Sequence, residues 1–234
     1  MKISERINHA RWSRNPRVLD RLSRDPEWEV RAGVAANDDA PAEVLNRLSR
    51  ETAEEGPDLT LDNSWRVRQE VAGNPSTPVD ILVRLSREDL WGSFSVRTSL
   101  GKNPNTPLDI LDRLSRGNDI QVLGSIAGNP SASPDILDRL SKNNNFTVRE
   151  KLAKNPLAPP DILYRLGQDD SLSVRGAVAA NPSTPAETLV MLNNEKERGI
   201  KFHLDKNPKW QAVQGKEQLV HTMKYAERWL LRHL

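Results

Sequence analysis

The dipeptide Asn-Pro restricts this chain more than any other feature. It occurs at Asn15, Asn74, Asn103, Asn129, Asn155, Asn181 and Asn207, and Asn37, followed by Asp38, fills the missing place. From Asn103 onward the spacing is 26 residues four times in succession, after earlier intervals of 22, 37 and 29. A fixed period in this range marks supersecondary units stacked one on the next, none of which buries its apolar face alone.

Further columns repeat in register with the Asn. Seven residues before it stands Val30, Val67, Val96, Val122, Val148 or Val174, with Ile200 in the last unit. Three residues before it stands Trp12, Val34, Val71, Leu100, Ile126, Leu152, Val178 or Leu204. Positions four apart share one helical face, so VRxxVAxN reads as a short helix with a narrow buried stripe. The second element reads T-P-x-D-I-L-x-R-L. Thr77, Thr106 and Thr184 suit an N-cap, Pro78, Pro107 and Pro185 suit the first helical position, and Asp80, Asp109 and Glu187 suit the acidic place of a capping box. Nothing alternates with period two. Each unit therefore has two helices of about two turns, too short to persist unless neighbours bury them.

Structure accounts for most of the repeated polar residues. Arg84, Arg113, Arg139 and Arg165 follow Asp80, Asp109, Asp135 and Asp161 by four positions, as in a solvent-facing helical ion pair. The Asn amide is expected to satisfy carbonyls at a helix end while the following Pro turns the chain away. Residues two before the Val (Trp28, Trp65, Phe94, Ile120, Phe146 and Leu172) are expected to fill the core. The arginines Arg31, Arg68, Arg97, Arg149 and Arg175 have two readings. Arg31 and Arg175 lie six residues after Asp25 and Asp169, which suits a ladder to the preceding turn; a column of guanidinium groups would equally suit phosphate or carboxylate.

Composition agrees with a repeat architecture. The apolar fraction is 36%, below the roughly 45–50% of a compact domain, as an elongated stack with more surface per residue requires. The absence of cysteine excludes disulfides, thiolate metal sites and a Cys nucleophile. No run reaches the roughly eighteen apolar residues of a membrane span, and residues 1–6 lack the apolar core of a signal peptide, so a soluble cytoplasmic protein is expected.

The unit VRxxVAxNPxTPxDILxRLSxD, best matched at residues 174–192 and 67–86, resembles the leucine-rich repeat variant family, bacterial repeats related in architecture to HEAT and armadillo solenoids. The resemblance covers about residues 8 to 207 and implies an all-α, right-handed solenoid of about eight two-helix repeats. The family's iron–sulfur association depends on a Cys-rich segment; with no Cys here it does not carry over, and no cofactor is expected. The family offers no catalytic residues to transfer.

One solenoid domain over residues 1–234 is expected. It has a truncated basic capping unit at 1–24 (local charge +5), repeats over 25–207 with an acidic insertion near 51–63, and a C-terminal capping helix over 208–234 that could also self-associate. The protein is otherwise expected to be monomeric. Departures from the repeat are better candidates for recognition than the repeat itself. They include Trp91 in the 88–95 interruption and the variable position before the Asn, where Arg14, Lys102, Lys154 and Lys206 form a broken basic stripe. Three residues after the Val, Glu70, Lys151 and His203 vary as well. These eight are the candidate partner-binding residues, Trp91 having covering of the neighbouring unit as its other reading.

A scaffold for an unidentified protein partner is the leading functional expectation. The alternative is nucleic-acid binding through Arg31, Arg68, Arg97, Arg149 and Arg175, which a pI near 8.9 permits. Against it, 34 basic and 32 acidic residues are interleaved, where a dense basic face would be expected. An enzyme is disfavoured: His9, His203, His221 and His233 share no ligand spacing, and no G-x-S-x-G, HExxH, Walker or GxGxxG motif occurs.

Overall fold

The computed structural model describes residues 1–51, 63–87, 93–194 and 197–214, and all their regular secondary structure is helical. The chain divides into two compact units, Met1–Ile136 and Leu137–Leu234. In the first, α1 (Ile3–Trp12) leads to α2 (Pro16–Leu22), α3 (Trp28–Ala35) to α4 (Ala42–Leu48), α5 (Ser64–Gly73) to α6 (Val79–Leu85), and α7 (Ser93–Lys102) to α8 (Leu108–Leu114), followed by α9 (Ile120–Ala127). The helix α10 (Pro134–Ser141) spans the division. In the second unit α11 (Phe146–Ala153) leads to α12 (Pro160–Leu166) and α13 (Leu172–Ala180) to α14 (Ala186–Asn194). There α15 (Arg198–Leu204) is followed by helical residues 208–214. Stacked helix pairs make each unit an α-solenoid, as the repeat predicted.

The first helices of successive pairs form the tight row. In the first unit α1 packs on α3, α3 on α5, α5 on α7 and α7 on α9; in the second α11 packs on α13 and α13 on α15. Small residues allow the approach. A Cβ on Gly33 would stand 3.1 Å from the Ala10 Cβ, and one on Gly101 would stand 3.1 Å from the Ser125 Cβ. The predicted stripes are buried: Val30, Val34, Val67 and Val71 from the first helices, and Ile81, Leu82 and Leu85 from a second helix. Each such side chain contributes on the order of 1.5–3 kcal/mol.

Trp12 departs from the stripe. It is 80% exposed, and Ala10 is the buried residue of α1. Asn15 departs with it: exposed, it accepts the Arg17 N–H and caps α2.

Asn37, Asn74, Asn103, Asn129, Asn181 and Asn207 cap helices of the preceding repeat rather than their own. Asn74 Nδ2 donates to the carbonyls of Ala35 at 2.7 Å and Asn37 at 2.8 Å, and its Oδ1 accepts the Ser76 N–H at 2.7 Å. Asn37 binds Ala10 and Ser13, Asn103 binds Ala72 and Asn74, and Asn129 binds Gly101 and Asn103. In the second unit Asn181 holds Ala153 and Asn155, and Asn207 holds Ala179 and Asn181. Each of these six amides thus spends both N–H donors on a neighbour and its oxygen on its own turn, leaving no side-chain polar group for a ligand.

Two local expectations are corrected by where the hydrogen bonds go. Thr77, Thr106 and Thr184 are not N-caps. Their hydroxyls donate to the carbonyls of Val71, Leu100 and Val178 at 2.6–2.7 Å, sealing the end of the preceding helix, and Pro78 and Pro107 stand at the N-caps of α6 and α8. Pairs within the second helix also fail to form for Arg84, Arg113 and Arg165, which reach back one repeat. Arg84 meets Asn46 and Ser49, Arg113 meets the Ser86 hydroxyl at 2.8 Å, and Arg165 meets Asp138 at 2.6 Å and Ser141 at 2.5 Å. Stacking places the preceding second helix beside each guanidinium, and that serine supplies a partly buried acceptor; Asp80, Asp109 and Asp161 remain in water.

Candidate functional site

The arginines after the buried valines are engaged inside the stack. Arg31 Nη1 donates to the carbonyls of Asp25 and Pro26 at 2.7 and 2.8 Å, and its Nε meets Glu51 at 2.8 Å. Arg149 repeats the arrangement with the carbonyls of Asn143 and Asn144 and both carboxylate oxygens of Asp169. Arg175 binds the carbonyls of Asp169 and Asp170, and buried Arg68 binds the Glu51 carbonyl and the Ser64 hydroxyl at 3.0 Å. Arg97 is half-buried on α7. The six-residue spacing therefore marks a bond to a backbone carbonyl, while the acid that opens the next repeat pairs with the previous arginine. Burial opposes the charge of Asp169, but hydrogen bonds from Arg149 and the Ser171 N–H outweigh it and hold the carboxyl below its ordinary value.

Of the residues two before the Val, half-buried Trp28 packs against the core as expected, whereas four are exposed. Phe94 is 44% exposed and Ile120 41%. Phe146 and Leu172 are likewise exposed in the second unit, and Trp28 and Trp65 are half-buried. The buried Val occupies the contact line between neighbouring helices, and two residues earlier the helix has turned by about 200°, so the side chain emerges at the edge. In the first unit the column runs Trp28, Trp65, Phe94, Ile120 along consecutively packed helices.

At the Trp28 end of this column lies a cleft of about 290 Å³ crossing α1, α3 and α5, lined by Ile7, Arg11, Trp28, Glu29, Ala32, Arg66, Gln69 and Glu70. Arg66 forms part of one wall. Its guanidinium carbon lies 5.2 Å from the Trp28 ring centroid and 4.7 Å from that of Trp65, and its Nε donates to Asn63 at 3.0 Å. The carboxylates are less well served. Glu29 Oε2 is buried without a hydrogen-bond partner. Burial pushes the Glu70 carboxyl above its ordinary value, with the positive field of Arg11 acting in the opposite direction.

A carboxyl with a raised folded value is ionised more readily in the unfolded chain. Stability is therefore lost as the pH climbs through the unfolded and then the folded value, and the loss persists above both. Glu70→Gln is expected to raise the urea midpoint at pH 7 and to leave it nearly unchanged at pH 3. An equal gain at both values would contradict burial as the cause.

Of the other residues singled out, Arg14 is exposed and lies 3.8 Å from Asp39, and Lys102 and Lys151 are exposed. Lys154 pairs with Glu150 one turn away. Lys206 lies over the Phe202 ring at 3.9 Å, and half-buried His203 meets the same ring edge-on. Of the seven described among these eight, Glu70 lines the cleft; Trp91, residues 52–62 of the insertion and residues 215–234 of the expected C-terminal helix lie outside the described residues. Sequence reading missed Glu29, Arg66 and Arg11. It also missed buried Trp210, which stands three residues after Asn207 where Thr77, Thr106 and Thr184 stand after theirs. Among the described residues no three His, Asp or Glu side chains are placed to hold a metal ion, and no helix is long and apolar enough to cross a membrane.

Residues 65–89 match the family model described as leucine rich repeat variant. A solved structure described as a leucine-rich repeat variant with a novel repetitive protein structural motif aligns with 87% of this chain and 76% of its own, with a TM-score of 0.52 and 23% sequence identity. No curated protein matches. The two matches bear out the resemblance read from the repeat, and the structural likeness carries the fold alone.

Proposed function

We propose that this stack of leucine-rich repeat variant units is a non-catalytic scaffold that binds a protein partner through the exposed first-helix edge of residues 1–136. The carrying observation is the column Trp28, Trp65, Phe94, Ile120, half-buried at its tryptophan end and exposed at Phe94 and Ile120, on helices whose repeated polar groups are engaged internally. Apolar surface in register along a rigid row is costly to leave in water and suits a protein interface. Trp and Arg, the residues of the adjoining cleft, dominate such contacts. The engagement of Arg31, Arg68, Arg149 and Arg175 within the stack favours this reading over a polyanion-binding groove.

A photo-cross-linking amino acid at position 94 or 120, expressed in the native host, is expected to give a discrete protein adduct. The same group at Glu43 or Arg116, exposed on or beside second helices, is expected to give none. Adducts confined to positions 43 and 116, or none at 94 and 120, would overturn the proposal.

A further inference from the structure

We infer that the cleft across α1, α3 and α5 receives a basic side chain, lysine or arginine, from the partner protein, with Glu29 and Glu70 as its carboxylate receptors and Trp28 as its wall. The inference rests on the reading of this face as the partner-binding face and assigns the chemistry of what enters it.

Three observations converge. The first is unmet demand for donors. Glu29 Oε2 is sealed from water with no hydrogen bond, and a buried acceptor without a donor is costly. Glu70 is half-buried in the same cleft, facing Arg11 from α1, and desolvation outweighs that arginine's field. A cation placed between them supplies charge to both and, once the Glu29 side chain turns toward the cleft, a donor to its unpartnered oxygen.

The second is that Arg66 is already engaged. It lies over two indole rings and its Nε donates to Asn63, which fixes the guanidinium against the wall of the cleft. The third is shape. A cleft of about 290 Å³ lies at the lower end of the range for ligand pockets, the size of one long side chain rather than a cofactor. Ile7, Ala32 and the Trp28 ring provide apolar surface for the methylene stem of Lys or Arg, with the charged head reaching the carboxylates. Beyond the cleft, Trp65, Phe94 and Ile120 continue the column on which the flanking partner segment would lie.

The test uses the whole chain and two blocked amino acids, Nα-acetylarginine amide and its neutral isostere Nα-acetylcitrulline amide, followed by NMR at the Trp28 indole and the Glu29 and Glu70 carboxyls. The arginine probe is expected to bind with a Kd on the order of millimolar, as a single side chain does, and to shift all three signals. The citrulline probe is expected to bind at least tenfold more weakly. Glu29→Gln and Glu70→Gln should each weaken the arginine probe several-fold while the remaining spectrum stays folded, and Glu43→Gln should leave it unchanged. Equal binding of the two probes, or shifts that avoid Trp28, would overturn the inference. If positions 94 and 120 cross-link to a partner but the arginine probe does not bind, only the cation assignment fails. If neither occurs, the partner-binding reading fails with it.

Discussion

Replacing Asn103 with Ala is expected to destabilise the first unit by about 3–5 kcal/mol, measured by urea unfolding. The substitution strands the carbonyls of Ala72 and Asn74 and leaves the Asn105 N–H without its acceptor. Asn103 is 1% exposed, so water does not readily replace those bonds. Each buried group left unsatisfied costs about 1–3 kcal/mol, and a domain is stable by only about 5–15 kcal/mol in total. Asn103→Asp should rescue little. Its carboxylate still accepts from Asn105 but sets negative charge against two carbonyl oxygens. Asn15→Ala should cost only about 1 kcal/mol, the value of an ordinary N-cap, because Asn15 caps α2 and makes no clasp.

The second large effect is expected at Arg149. Arg149→Met should cost about 3 kcal/mol, since it removes the donors for the Asn143 and Asn144 carbonyls and leaves unpaired the Asp169 carboxylate, whose side chain is 8% exposed. Arg149→Lys should recover only part of the loss, because one ammonium cannot span contacts made from Nε, Nη1 and Nη2. The pH dependence has a definite sign. The folded Asp169 carboxyl is held below its ordinary value of 3.8, so the pair contributes fully above that value and its contribution fades as the pH falls through the folded one. The deficit of Arg149→Met should therefore be largest at neutral pH and shrink below pH 3.8. A variant of unchanged stability that loses affinity for DNA would instead make this arginine a phosphate contact.

These two residues also show what the sequence could and could not disclose. The period, the buried valines and the paired helices were readable because one packing geometry imposes the same polarity at the same place in every unit. Bond destinations were not. Asp80 and Arg84 are spaced for a helical pair, yet Arg84 crosses to Ser49, 35 residues away, because stacking brings that helix beside it. The same crossing takes the Asn amide 39 residues back to Ala35 from Asn74. Phe94 and Ile120 were assigned to the core since constant apolarity reads alike on a buried face and on an exposed edge; only the rotation of the helix separates the two. Glu29 and Arg66 carried no sequence signal, because neither recurs and the cleft forms from three helices 63 residues apart in chain between Ile7 and Glu70. Glu70 stood out only as an irregular residue in a regular column.

The repeated polar residues build the stack, and the apolar edge of the first helices is proposed to serve recognition. Urea unfolding of Asn103→Ala beside Phe94→Ser tests this division of roles most directly. A loss of about 3–5 kcal/mol is expected for the first and a change within about 0.5 kcal/mol for the second. Equal losses, or a larger one for Phe94→Ser, would place the edge in the core and contradict it.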